Sequence, residues 1–213
     1  MNIGAGFMHA LFREIGASRI SVALTCLSML VNAAAADEHP AQKLVRETAG
    51  LVTSRLIAEP ALKKDPERLQ ALVDDVVLPH FDFTRMSKRV LARNWRKASA
   101  GEQQSFTAAF KALLVRTYST ALSEYSNQEI KFLPVRDRPE KKRATVRTLI
   151  GRPGAQPIPI DYAMFEAPDG WKVYDVTVSE VSLVINYRSS FAAEIRKSGM
   201  AGLIKRLTER GDG

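Results

Sequence analysis

Apolar residues recur at spacings of three and four through much of the first 125 positions, as they do along one face of an α-helix. Asp65 and Asp82 each precede such a segment and can cap a helix. Ser99 stands three residues before Glu102, which is the spacing of a capping box. The pattern predicts four helices, and the last of them, over 100–125, is the longest.

Alternation of apolar and polar residues with period two replaces the helical spacing at 129–135, 144–150, 157–165 and 171–178. Basic or Gly/Pro-rich turns separate these segments, and such short connections predict an antiparallel meander. Helical spacing returns at Leu183 and is broken by glycine near position 199. The predicted fold class is α+β, with N-terminal helices packed on a curved antiparallel four-stranded sheet and with C-terminal helices.

The alternation in the fourth strand places Asp175 on the same face as Trp171 and Val173. A buried carboxylate without a partner is costly, so we expect Asp175 to pair with Arg116 or Arg188. A structural ion pair and a catalytic acid are both consistent with this position.

The first 36 residues contain the three parts of a secretory signal sequence. Arg13 and Arg19 precede an uncharged run over 20–31, and small residues ending at Ala36 follow. The run is shorter than the roughly 20 residues that a membrane-spanning helix needs. We therefore predict cleavage after Ala36 and export to the periplasm; an uncleaved anchor and a lipoprotein attached through Cys26 are the alternatives.

Residues 37–213 are then long enough for a single domain. The whole sequence has 31 Lys+Arg against 23 Asp+Glu, a net charge of +8 that favours an anionic partner such as nucleic acid, a membrane surface or a phosphate-bearing ligand. Export removes nucleic acid as the natural partner. A basic cluster over 136–143, which ends at Arg143, is either solvated or contacts lipid phosphates or an acidic partner protein.

Few residues are available for catalysis or metal binding. The single cysteine, Cys26, lies in the leader, and His39 and His80 are the only histidines after it. This composition excludes disulfides, Cys/His zinc sites and cysteine nucleophiles from residues 37–213. No nucleophile elbow, phosphate-binding loop or zinc-protease motif occurs. We expect no metal and no catalytic residues; an exported enzyme using Asp175 or His80 as a base on a hydrophobic substrate is the alternative.

Three segments resemble the MlaC family, the periplasmic phospholipid-binding proteins of the Mla pathway, also called toluene-tolerance auxiliary proteins. The segments are N-W-R-K-A-S at 94–99, the helical stretch 110–125 with its R-T-Y, and 170–191 with its W-K-V-Y-D-V. The resemblance extends from about position 40 to about 210. Glu180 stands where the family would more often have glycine.

The resemblance implies a phospholipid carrier with a mixed fold like that of nuclear transport factors. It implies that acyl chains occupy an internal apolar cavity while the head group stays near solvent, and that no cofactor is needed. It also implies two partners, an outer-membrane lipoprotein–porin complex and an inner-membrane ABC transporter with an MCE-domain subunit. The activity implied is lipid transport between these complexes, which maintains outer-membrane lipid asymmetry.

Helices over a curved sheet can enclose an apolar cavity, although a filled core, as in a structural adaptor protein, gives the same periodicity. Residues four apart share one side of a helix, and residues two apart share one face of a strand. We expect the lipid tails to lie between the long helix and the sheet. The expected lining residues are Phe106, Phe110, Leu113, Leu114, Tyr118, Val146, Ile160, Tyr162, Val173, Leu183 and Tyr187.

Overall fold

Local capping interactions begin three of the helices at the residues that the sequence predicts, namely Asp65, Asp82 and Ser99. The computed structural model describes residues 38–123, 127–137 and 141–209, so the predicted leader lies outside the described residues. The Asp82 carboxylate accepts the Arg85 N–H at 2.7 Å, and Ser99 and Glu102 form the reciprocal bonds of a capping box. The first four helices are α1 (Pro40–Ala58), α2 (Pro66–Val76), α3 (Phe83–Leu91) and α4 (Ala100–Ser123).

The meander is antiparallel as predicted, but it has five strands in the described chain instead of four. The fifth strand follows a tight turn in which Ser179 and Glu180 have φ values of 47° and 69°. A left-handed backbone conformation favours glycine, which is the residue that the family would more often have at position 180, but Glu180 adopts it here. In spatial order, the strands are β1 (Ile130–Leu133), β2 (Arg143–Arg152), β3 (Ala155–Ala167), β4 (Gly170–Val178) and β5 (Val181–Ser182).

A β-bulge in β4 changes which side chains share a face. Tyr162 of β3 lies opposite Val176, and Met164 lies opposite Val173, so β4 has one extra residue in this interval. Val173 and Val176 consequently pack in one apolar cluster although they are three residues apart. The predicted placement of Asp175 on the face of Val173 is therefore wrong, because the bulge turns the carboxylate to the opposite face.

The chain ends in α5 (Leu183–Glu209), which is kinked as predicted at Gly199, where φ is 73° and ψ is 179°. Helices α3 and α5 each contact both α4 and strand β4. They therefore lie along the region between the long helix and the sheet.

The buried apolar residues of the helices and of the sheet form two separate clusters. The helical cluster is built from α3, α4 and α5, and the sheet cluster joins one face of the sheet to the start of α1, where Ala41 is fully buried. The fully or largely buried members of the helical cluster are Met86, Val90, Leu91, Phe106, Ala109, Phe110, Leu114, Val184, Phe191, Leu203 and Leu207. Those of the sheet cluster are Ala41, Ala144, Val146, Met164, Val173 and Val176.

Candidate functional site

The eleven residues expected to line the lipid site divide between the two clusters. None of them is a surface residue outside both clusters. Six pack in or against the helical cluster: Phe106, Phe110, Leu113, Leu114, Tyr118 and Tyr187. Five pack in or against the sheet cluster: Val146, Ile160, Tyr162, Val173 and Leu183.

Aromatic rings form the centre of the helical cluster. The Phe106 and Phe110 rings stack with centroids 5.6 Å apart, and both residues are fully buried. Tyr187 of α5 meets Phe110 edge to face at 5.9 Å. Burial raises the pKa of the Tyr118 hydroxyl, and the neighbouring Tyr187 raises it further. The six predicted residues on this side therefore belong to one connected apolar wall.

Phe191 is a member of this wall that the sequence-based selection missed. Its ring centroid lies 5.7 Å from those of Phe106 and Phe110 and 5.3 Å from that of Tyr187. The helical spacing in the sequence could have identified Phe191, because it follows Tyr187 by four residues and so lies on the same side of α5.

On the sheet side, several residues of the candidate site lie opposite one another on neighbouring strands. Val146 lies opposite Tyr162, and Thr148 lies opposite Ile160. The Thr148 hydroxyl donates to the Ile160 carbonyl at 3.2 Å, which satisfies a polar group within a buried face. Burial raises the pKa of the Tyr162 hydroxyl, and its hydrogen bond with Thr148 partly opposes this effect.

Phe81 joins the two clusters, because its side chain packs against both of them. The residue forms a bridge with Val173 of β4, and the next N–H, that of Asp82, donates to the Val173 carbonyl at 2.9 Å. The Phe81 and Phe83 rings stack 5.8 Å apart. They line a cleft of about 340 Å³ together with Asp82, Thr84, Ala167, Asp169 and Lys172.

The partner of Asp175 is Arg89, and the expectation of Arg116 or Arg188 is wrong. A nitrogen of the Arg89 guanidinium lies 3.7 Å from the Asp175 carboxylate. Arg188 lies nearby but donates instead to the Arg89 carbonyl at 2.7 Å. The bulge in β4 accounts for the difference, because it directs Asp175 towards α3 and the start of α5.

Asp175 is 6% exposed, and its carboxylate accepts hydrogen bonds from two groups at the start of α5. The Ser182 hydroxyl donates to it, with oxygen–oxygen distances of 2.8 and 2.9 Å, and the Val184 N–H donates at 3.3 Å. Ser182 in turn accepts the Ile185 N–H at 3.0 Å. Asp175 therefore connects β4 to the first turn of α5.

His80 is the other residue that the sequence analysis considered as a base. Burial and the nearby Lys172 ammonium lower the pKa of His80. Within the described chain, no group of three or more His, Cys, Asp or Glu side chains could hold a metal ion. Among the helices that the structure describes, none has the length and apolarity to cross a membrane.

Comparison with known proteins identifies one family and several relatives. The family described as MlaC protein matches residues 46–209. The chain is similar to the intermembrane phospholipid transport system binding protein MlaC of Haemophilus influenzae, with 25% identity over 186 residues, 85% of this chain and 87% of that protein. It is also similar to the toluene tolerance protein ttg2D of Pseudomonas putida, with 28% identity over 138 residues, 64% of each chain.

A solved structure resembles the fold described above. It is that of a phospholipid-binding protein from Ralstonia solanacearum in complex with a phospholipid. The superposition has a TM-score of 0.75 with 33% sequence identity, and it covers 81% of this chain and 97% of the other.

Proposed function

Since the chain belongs to the MlaC family, we propose that it is a phospholipid carrier of an intermembrane phospholipid transport system. The observation that carries this proposal is the likeness to a structure solved with a bound phospholipid, which extends over most of both chains. The division of the apolar residues into two clusters joined at Phe81 is consistent with a fold whose walls can separate around a ligand.

The acyl chains lie, in this proposal, between the helical and sheet clusters, along α3 and α5. Each buried methylene group contributes about 0.8 kcal/mol, so two chains need extensive apolar contact. The carrier must also release them, which favours many weak contacts over a few strong polar ones. The apolar side chains around Phe110 and those around Val146 provide such contacts once the two clusters separate, because both residues lie among apolar neighbours.

The cellular part of the proposal concerns export and docking. The carrier is exported by a leader cleaved after Ala36 and works in the periplasm. It moves phospholipid between an outer-membrane lipoprotein–porin complex and an inner-membrane ABC transporter with an MCE-domain subunit, and this transport maintains outer-membrane lipid asymmetry. The similarity to a binding protein of an intermembrane phospholipid transport system supports this placement.

Binding without catalysis is the activity that the geometry favours. Asp175, the most plausible catalytic acid in the sequence, has its carboxylate engaged by Ser182, by the Val184 N–H and by Arg89. These contacts serve to attach α5 to the sheet.

Lipid extraction and mass spectrometry of the purified protein test the proposal. We expect close to one phospholipid per protein, and we expect lipid-loaded protein to deliver it to acceptor vesicles. Absence of lipid together with failure to take up lipid from donor vesicles would contradict the carrier and favour an adaptor with a filled core. Chemical conversion of the added lipid would favour the exported enzyme.

A further inference from the structure

Three arginines and a tyrosine line a cleft of about 180 Å³ between α3 and the sheet. They are Arg85, Arg89, Arg143 and Tyr174. Arg85 and Arg89 are four residues apart, so they lie on the same side of α3. Arg143 is the first residue of β2 and approaches from the sheet. Elements distant in sequence therefore bring three guanidinium groups to one cleft.

Aromatic rings hold two of these guanidinium groups in place. The central carbon of the Arg85 guanidinium lies 3.4 Å from the centroid of the Phe165 ring, and that of Arg89 lies 5.1 Å from the Tyr174 centroid. Phe165 is also the residue directly opposite Arg143 in the β2–β3 ladder. A cation resting on a ring face keeps its charge and its N–H groups, so these contacts orient the arginines without neutralising them.

Carboxylates offset only part of this charge. Asp82 lies 3.7 Å from Arg85, and Asp175 lies 3.7 Å from Arg89, both beyond hydrogen-bond distance. Each carboxylate is also an acceptor for other donors, Asp82 as the cap of α3 and Asp175 at the start of α5. No carboxylate in the described part of the chain forms an ion pair with Arg143. Among the described residues, three guanidinium groups are offset here by two carboxylates, so their net charge is positive and guanidinium N–H groups are available to an anion.

We propose that this cleft binds a phosphate group, either that of a lipid head group or free phosphate. The planar, multiply donating guanidinium group matches the oxygens of phosphate, and three of them converge here. The cleft also lies beside the apolar region, because Met86 and Val90 of the same helix are buried in the helical cluster. For a lipid, the inference rests on the proposed carrier function: the tails enter the apolar region and the phosphate meets the arginines at its edge.

Calorimetric titration of the lipid-depleted purified protein with three probes tests this site. The probes are dihexanoyl phosphatidylglycerol, dihexanoylglycerol, which has the same tails without phosphate, and inorganic phosphate. The test variant combines Arg85→Gln with Arg143→Gln, and Arg143→Gln alone is a second variant that disturbs no described ion pair. Arg152→Gln is the matched control, because Arg152 is an exposed residue at the other end of β2.

We expect the double variant to bind dihexanoyl phosphatidylglycerol at least about tenfold more weakly than the wild type, since charge-assisted hydrogen bonds are lost. Binding of dihexanoylglycerol should change less than about twofold, and Arg152→Gln should match the wild type for every probe. Inorganic phosphate bound by the wild type and lost in the variant would identify free phosphate as a ligand. Loss confined to the phospholipid would identify the head group.

The inference is overturned if both arginine variants bind phosphatidylglycerol and inorganic phosphate as the Arg152→Gln control does. It is also overturned if the folded variants lose both lipids equally, since the effect would then not depend on phosphate. Failure of the carrier function has a different signature: the wild type would bind neither lipid. In that case the inorganic phosphate titrations alone would decide whether the cleft is an anion site.

Discussion

Replacing Asp175 should weaken the attachment of α5 to the sheet without impairing lipid binding. The residue is buried, and its carboxylate accepts hydrogen bonds from Ser182 and from the Val184 N–H. It lies on the opposite face of β4 from the sheet cluster, as the register across the bulge requires. Asp175→Ala removes every acceptor oxygen, whereas Asp175→Asn keeps one oxygen and removes the charge.

The expected cost follows from the groups left without a partner. A buried donor that loses its acceptor costs about 1–3 kcal/mol, and the Val184 N–H is such a donor. Ser182 is only partly buried, so water can replace the acceptor that its hydroxyl loses, and this loss costs less. Arg89 is substantially exposed, so its lost ion pair adds at most about 1 kcal/mol. We expect a free energy loss of about 3 kcal/mol for Asp175→Ala and about 1 kcal/mol for Asp175→Asn.

Thermal unfolding and lipid content should be measured on the same preparations. For a chain of this size, 1 kcal/mol corresponds to about 2–4 °C in melting temperature. Asp175→Ala should therefore melt about 6–12 °C below the wild type, and Asp175→Asn about 2–4 °C below it. Asp75→Asn is the control, because Asp75 is exposed on α2 and should melt as the wild type does.

An unchanged melting temperature for Asp175→Ala would refute this account of the carboxylate. Unchanged melting together with loss of turnover of a hydrophobic substrate would favour the exported enzyme. Loss of bound phospholipid from a variant that still melts as the wild type does would place Asp175 in the ligand site instead of at the base of α5.

Three further predictions concern single residues. Leu114→Trp should give folded protein with much less bound phospholipid, measured by extraction. Ala112→Trp is the control, because Ala112 is exposed on the same helix and this variant should keep its phospholipid. Full phospholipid occupancy in folded Leu114→Trp would show that Leu114 does not line the lipid site. Glu180→Gly should raise the free energy of unfolding by about 0.5–1 kcal/mol in denaturant titrations, since glycine relieves a left-handed backbone; destabilisation would contradict this. Because folding lowers the pKa of His80, the stability that its neutral form contributes is fully present above about pH 6.5 and is lost as the pH falls through the folded-state pKa. His80→Gln should therefore reduce the dependence of unfolding free energy on pH in that range. An unchanged dependence in the variant would contradict this role of His80.

Element types and helix starts were predictable because the information that specifies them is local. The Ser99–Glu102 capping box and the Asp82 cap act within one turn of helix, and both form as predicted. Gly199 breaks α5 because its backbone angles are accessible almost only to glycine. The fifth strand was missed because two residues are too few to show a period.

Periodicity could identify which apolar residues are buried, but it could not say whether each one belongs to the helical cluster or to the sheet cluster. Periodicity marked Phe110 and Ile160 as inward-facing, and each packs against an apolar cluster. Which cluster receives each residue depends on how distant elements pack. The position of α3 and α5 beside both α4 and the sheet follows from no local pattern.

The sequence by itself determined the class of fold, the order of its elements and most of their boundaries, because capping, turn preference and side-chain periodicity are interactions between near neighbours in the chain. Tertiary structure alone decided the environment of Asp175: one extra residue in β4 reversed its face and gave it Arg89 as its partner. It alone also brought Arg143 to the arginines of α3. A strand's register and a helix's packing partner depend on contacts between residues far apart in sequence, and such contacts leave no periodic trace in either segment.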